Sequence, residues 1–532
     1  MFWESVETIK ERTLQQMVKE SSTSLDDILN HDYCFQELRV ESPYLVEYFT
    51  RTDVLNELLN RSLFFRPSPD VKPLLQYKVC PRALGILTLG CKPVNNALLS
   101  NSELVERLIK YLEPSENSYV NDITAGFYKR LVIAMLITFE TPENKFLDAL
   151  EKSNFMDYCF KSMEYGAIAE LIVRVPSHCT NTDFQKRIFD WYANVNVARR
   201  ILDLYNTNAS VYVLENAGFM WSEFNEMQLR QVETAESFTK SLYSVEIVKG
   251  LSEIAFSSVE NSSPMLINYI APILVSFIEM NRAANEPGFK AFPDLYMREP
   301  ILDLGDPEFT FQSEIVRHSN VIMKVILKAF DSPISAGHTL TAVSCLRIIR
   351  ALTNSSHEET HATLAKVLVD DDTSIVKLYD YAARNPSSSI CNNQIMAIVA
   401  HIMFSTTKEH LLIDALFKTK PTITAYILGL LEKHEKRAEG EPYLEFMARK
   451  SFFLKIGEFI KHCPYGLRAL GIKQFTEQEE AEKWQDLTMS TVCENLLEID
   501  EVAAVTDKSG ETSADLDIGE ISPEKNMQSL AI

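Results

Sequence analysis

Glycine is scarce in this chain, at 16 of 532 residues against a usual ~7%. Parallel α/β enzymes use glycine in tight phosphate loops and strand-to-helix turns, so the shortage points to an all-helical protein. Strand signals are equally few. There is no sustained two-residue alternation and no Asn-Gly or Asp-Gly hairpin. Long apolar runs are missing too. LVIAMLITF (131–139) is nine residues long, and a membrane-spanning helix needs about 20, so no membrane span is expected. Positive charge is in deficit: 52 Lys and Arg face 74 Asp and Glu, a net −22. That argues against nucleic acid as a partner, because phosphate binding needs clustered cations. The nine cysteines include no C-x-x-C pair and read as reduced, buried residues of a cytosolic or nuclear protein. The start, MFWESVETIK, has neither a basic head nor an apolar run, so no secretory signal is expected.

What is present is helical periodicity. In SELVERLIKYLEP, Leu104, Val105, Leu108, Ile109 and Leu112 form one apolar face, with Ser102 as the expected cap and Pro114 as the stop. Val197, Ile201 and Leu204 line one side of another helix. Val343, Leu346, Ile348, Ile349 and Leu352 make a stripe wide enough to be buried against two neighbours. Turn clusters such as EPSENS (113–118), TNTD (180–183) and DSPISAG (331–337) leave room for one or two helices between them. The expected fold is all-α: a right-handed superhelical solenoid of helix pairs, armadillo/HEAT-like, over residues 1–499. Residues 283–313, with four prolines, read as a long connecting loop. Residues 500–532 read as an acidic disordered tail. From Glu498 to the end there are nine acidic residues and two lysines, a net −7. Ser522, before Pro523, is a candidate phosphorylation site in that tail.

Motifs for chemistry are weak. HEETH (357–361) fits H-E-x-x-H, with His357 and His361 on one helix face as zinc ligands and Glu358 as base. Its surroundings are polar, the reading is a solvated helix start, and no third ligand is apparent nearby. GILTLGCKP (85–93) is a displaced phosphate loop: Cys91 separates Gly90 from Lys92, and Pro93 takes the hydroxyl position. A helix end with a glycine cap at Gly90 fits better. His31 with Cys34, and His462 with Cys463, supply too few ligands for a zinc site. No catalytic residue, cofactor site or metal site is therefore assigned.

The order of several segments resembles the SAPS family, regulatory subunits of phosphatase-6-type (Sit4-like) serine/threonine protein phosphatases. The chain opens Met1-Phe2-Trp3, as that family does. Ser24 with Leu25, Gln36 with Glu37, Leu45 to Phe49, and Glu57 with Leu58 follow in the family's order. Leu87-Thr88 with Pro93, AGFYKRLV (125–132), and Ala167, Ile168, Leu171 and Arg174 continue it. Trp191 with Val197, Arg200, Ile201 and Leu204 extends it to residue 204, and Trp484 with Leu487 resembles a late element. Between 205 and 495 the similarity is looser. The resemblance implies a non-enzymatic regulatory or scaffold subunit. It would hold the phosphatase catalytic subunit and steer its substrate choice or location in cell-cycle and mitotic control. A further scaffold subunit is a second protein partner. The expected location is the cytoplasm, with the nucleus or the cell cortex as further places. Phe2 and Trp3 either seal the N-terminal end of the stack or hook a partner. Arg174 and Arg200 either meet an acidic partner surface or bond Asp and Glu between repeats. The alternatives are a helical adaptor without phosphatase binding, and a zinc hydrolase using His357, Glu358 and His361.

Overall fold

The computed structural model describes residues 13–462 except 21, 65–79, 115–119, 142, 231–233, 280–308, 333–335, 406, 434–436 and 438. Every regular element among the described residues is helical. Phe2, Trp3, Ser522, the acidic tail, Trp484 and residues 283–308 of the expected loop lie outside them. The expected loop ends earlier than its proline content suggested, because Thr310–Val316 is already helix.

The chain forms two compact units, one reaching Val367 and including 406–409, the other made of Leu368–Ser405 and residues from His410. In the first unit a row of helices packs one on the next: Cys80–Leu87, Asp122–Ile137, Gly166–Ser177, Val211–Arg230, Pro264–Glu279 and Ala336–Thr353. From Asp122 to Pro264, two further helices lie between successive members of this row. After Asp122–Ile137 come Lys145–Glu151 and Phe155–Lys161; after Gly166–Ser177 come Thr182–Asn194 and Val197–Leu204. After Val211–Arg230 come Glu236–Leu242 and Val245–Phe256. These flanking helices also pack on their counterparts: Thr182–Asn194 on Glu236–Leu242, and Val197–Leu204 on Val245–Phe256. The repeating unit over 122–256 is therefore three helices, not the pair expected from the sequence.

Short polar side chains set the helix starts. Asn121 accepts from the amides of Ile123 and Thr124 and forms a capping box with Thr124. Asn101, not Ser102, caps Ser102–Ile109 through the amides of Glu103 and Leu104. Asn144 is 2% exposed. It accepts from the Leu147 amide and donates to the carbonyls of Phe139 (2.8 Å) and Leu136 (3.2 Å). One side chain thus closes one helix and opens the next. Pro176 fits the last turn of Gly166–Ser177, and its carbonyl accepts from Gln185 Nε2 at 2.9 Å.

Apolar burial holds the repeats together. Phe189, Tyr192, Phe224 and Phe238 come from three different helices and are all but fully buried. Their rings meet edge-on or stacked, with Phe224 and Phe238 centroids 4.8 Å apart, worth about 0.5–1.5 kcal/mol per pair beyond area burial. Tyr192 donates its hydroxyl to the Ile172 carbonyl at 2.7 Å, satisfying a group otherwise lost in an apolar layer. Val197–Leu204 and Val245–Phe256 approach closely at Gly250, where an added Cβ would lie 2.6 Å from Leu202 Cδ2.

The second unit packs Val376–Arg384, Ser389–Met403, Leu411–Lys418, Ile423–Lys433 and Tyr443–His462 in succession, with the last helix returning onto Ser389–Met403. Arg449 ties it together, bonding Glu441 and donating to the Ala383 carbonyl at 2.6 Å.

Candidate functional site

The turn around 357–361 is anchored rather than solvated. His361 and Thr360 are fully buried at the start of the Glu358–Val369 helix. His361 Nδ1 lies 3.3 Å from Thr407 Oγ1. Glu358 Oε1 accepts the Lys408 amide at 2.6 Å, and the His357 ring stacks on Phe309 at 4.8 Å. His357 Nδ1 is 3.0 Å from Thr360 Oγ1. Through His361 Nδ1 and Glu358 Oε1 the start of this helix is fastened to residues 407–409. Burial pushes the His361 imidazole down to about 4, with Glu358 opposing and His357 adding to the shift. Among the described residues no group of three or more His, Cys, Asp and Glu could hold a metal ion.

The displaced phosphate loop is a helix ending. Cys80–Leu87 terminates before Gly90, which takes φ +82°, a left-handed conformation that glycine reaches without strain. Lys92 and Pro93 open the next helix. His31 and Cys34 are not paired as ligands, since Cys34 is buried and His31 Nδ1 faces the Tyr33 amide. Of the seven described cysteines six are buried.

The two arginines flagged in the sequence sit differently. Arg200 donates to the Val195 carbonyl at 2.9 Å and to Asp157 of the preceding repeat. Arg187, nearby, grips Asp148 and Glu151, each at 2.6 Å. Among the described residues Arg174 pairs with Glu223 of the following repeat alone, at 3.9 Å, and its side chain is 43% exposed. It lines a cleft of about 400 Å³ between Asp122–Ile137 and Gly166–Ser177, with Lys129, Arg130 and His178 around an apolar floor of Ile133 and Ile137. Lys129 pairs with Glu170 across the repeat junction. Arg130 is exposed and makes no ion pair with a described residue. Lys129 and Arg130 were not singled out from the sequence. Their i, i+1 positions on an apolar helix carry no signal until the neighbouring helix is in place.

The described residues form stacked three-helix repeats, and comparison shows which proteins the chain is similar to. Residues 134–379 match the SAPS family, described as SIT4 phosphatase-associated protein, which bears out the resemblance read from the N-terminal motifs. The matched stretch runs well past residue 204 into the part whose similarity looked loose. The chain is 20% identical over 528 residues to serine/threonine-protein phosphatase 6 regulatory subunit 3 of Gallus gallus, covering 93% of this chain and 58% of that one. It is 19% identical over 523 residues to regulatory subunit 3-B of Xenopus laevis, covering 93% and 60%. Regulatory subunit 1 of Mus musculus is 22% identical over 204 residues, covering 38% and 23%. The chain spans about six tenths of the length of the first two relatives.

Proposed function

We propose that the chain is a non-catalytic regulatory subunit that binds a phosphatase-6-type serine/threonine phosphatase catalytic subunit. It would direct the enzyme's substrate choice or location in cell-cycle and mitotic control, from the cytoplasm and with a further scaffold subunit as second partner. The observation that carries this reading is the SAPS match over 134–379, which falls on the row of stacked repeats. A right-handed winding of those repeats would offer the phosphatase one long surface, as helical arrays do. The relatives' names supply the partner: each is a phosphatase 6 regulatory subunit. The zinc-hydrolase alternative loses support because no group of three or more potential metal ligands gathers around His357 and His361 among the described residues.

Affinity purification of the tagged full chain from native extract is the test. Recovery of a phosphatase-6-type catalytic subunit in near-equal amount, with okadaic-acid-sensitive activity, is the expected result. Recovery of the intact chain without any phosphatase would favour the adaptor.

A further inference from the structure

We propose that the cleft between Asp122–Ile137 and Gly166–Ser177 is a docking site for an extended acidic segment of a partner protein. The inference rests on the scaffold reading but not on which phosphatase is bound. It starts from a contrast between arginines in one array. Arg187 and Arg200 each hold two acceptors inside the protein. Arg130 holds none among the described residues, and Arg174 has one carboxylate at 3.9 Å, the limit of an ion pair. Both arginines line the same cleft, as do Lys129 and His178. In a chain of net charge −22, unmatched cations over an apolar floor mark a place where an anion is favoured.

The wall also selects the kind of anion. Glu170 lines the cleft and already neutralises Lys129. A phosphate dianion would meet that carboxylate without a third free cation to offset it, since it favours several convergent donors. Single carboxylates spaced along a peptide can each take one guanidinium, and apolar side chains between them can cover Ile133 and Ile137. Arginine suits this role because its planar fork pairs with a carboxylate bidentately.

The probe is a short fluorescein-labelled peptide of Asp and Glu interrupted by Leu, titrated with the purified full chain and followed by anisotropy. Binding should weaken steeply with added salt. The double variant R130E/R174E should lose about tenfold or more in affinity, because like charges then face each other. R130Q/R174Q should lose less. Arg130 is exposed and Arg174 half-buried, and an unchanged melting temperature would show that the variants are folded. Three results would each overturn the proposal: no binding to the wild-type chain, equal binding by R130E/R174E, or tighter binding of a phosphoserine peptide of the same length. Because no phosphatase is present, failure of this titration sinks the cleft alone, whereas failure of wild-type capture from extract sinks the regulatory reading.

Discussion

At the scale of single residues, His361 is the most informative side chain. It is fully buried, and its imidazole titrates near 4 in the folded chain, against about 6.5 when unfolded. Folding therefore favours the neutral ring. The unfolded chain binds the extra proton first, so stability is complete above about pH 6.5 and falls as the pH drops toward 4. The full effect is on the order of 3 kcal/mol. His361→Leu keeps an apolar volume without the titration. We expect urea midpoints of the wild type to decline between pH 7 and 4.5 more steeply than those of His361→Leu; parallel curves would contradict this. HEETH was legible as a motif, but its burial was not. Its cover comes from Thr407, 46 residues away, and helical periodicity carries no information at that separation.

Elements are joined by caps that span two helices. Asn144→Ala removes the Leu147 cap and both bonds to the carbonyls of Leu136 and Phe139, taking a donor from the buried Leu136 carbonyl. We expect a loss of about 2–3 kcal/mol in chemical denaturation. Gly250→Ala places a methyl against Leu202 and should cost about 1–3 kcal/mol. Gly126→Ala, in a helix with open space at that position, should gain about 0.5–1 kcal/mol. A midpoint shift of the same sign for both glycine variants would refute the assigned packing. The long helices were legible because they carry several turns of pattern. Leu104, Val105, Leu108 and Ile109 are all buried, as are Val343, Leu346, Ile348, Ile349 and Leu352. The three-helix period was not, because Lys145–Glu151 and Phe155–Lys161 have seven residues each, too few turns for an apolar face to register.

For the whole molecule, two compact units imply unfolding that is not all-or-none. Calorimetry of the full chain should give a van't Hoff enthalpy below the calorimetric one. Asn144→Ala should lower the transition of the first unit. Arg449→Met, which breaks a pair only 13% and 10% exposed, should lower the other, by about 3 kcal/mol or more in stability. A single transition moved equally by both variants would contradict the division. The sequence pointed to stacked helices and to the SAPS kinship, since both are written in local patterns. The cleft needed two repeats side by side: Arg174 was visible as the edge of an apolar stripe, whereas Arg130 gained meaning only from its neighbour across the junction.

In the first unit each row helix of the 122–256 modules rests on the one before it and the one after it. A lineage can therefore duplicate or drop such a module and needs to re-match only two faces, while a protein with one central core would have to be rebuilt throughout.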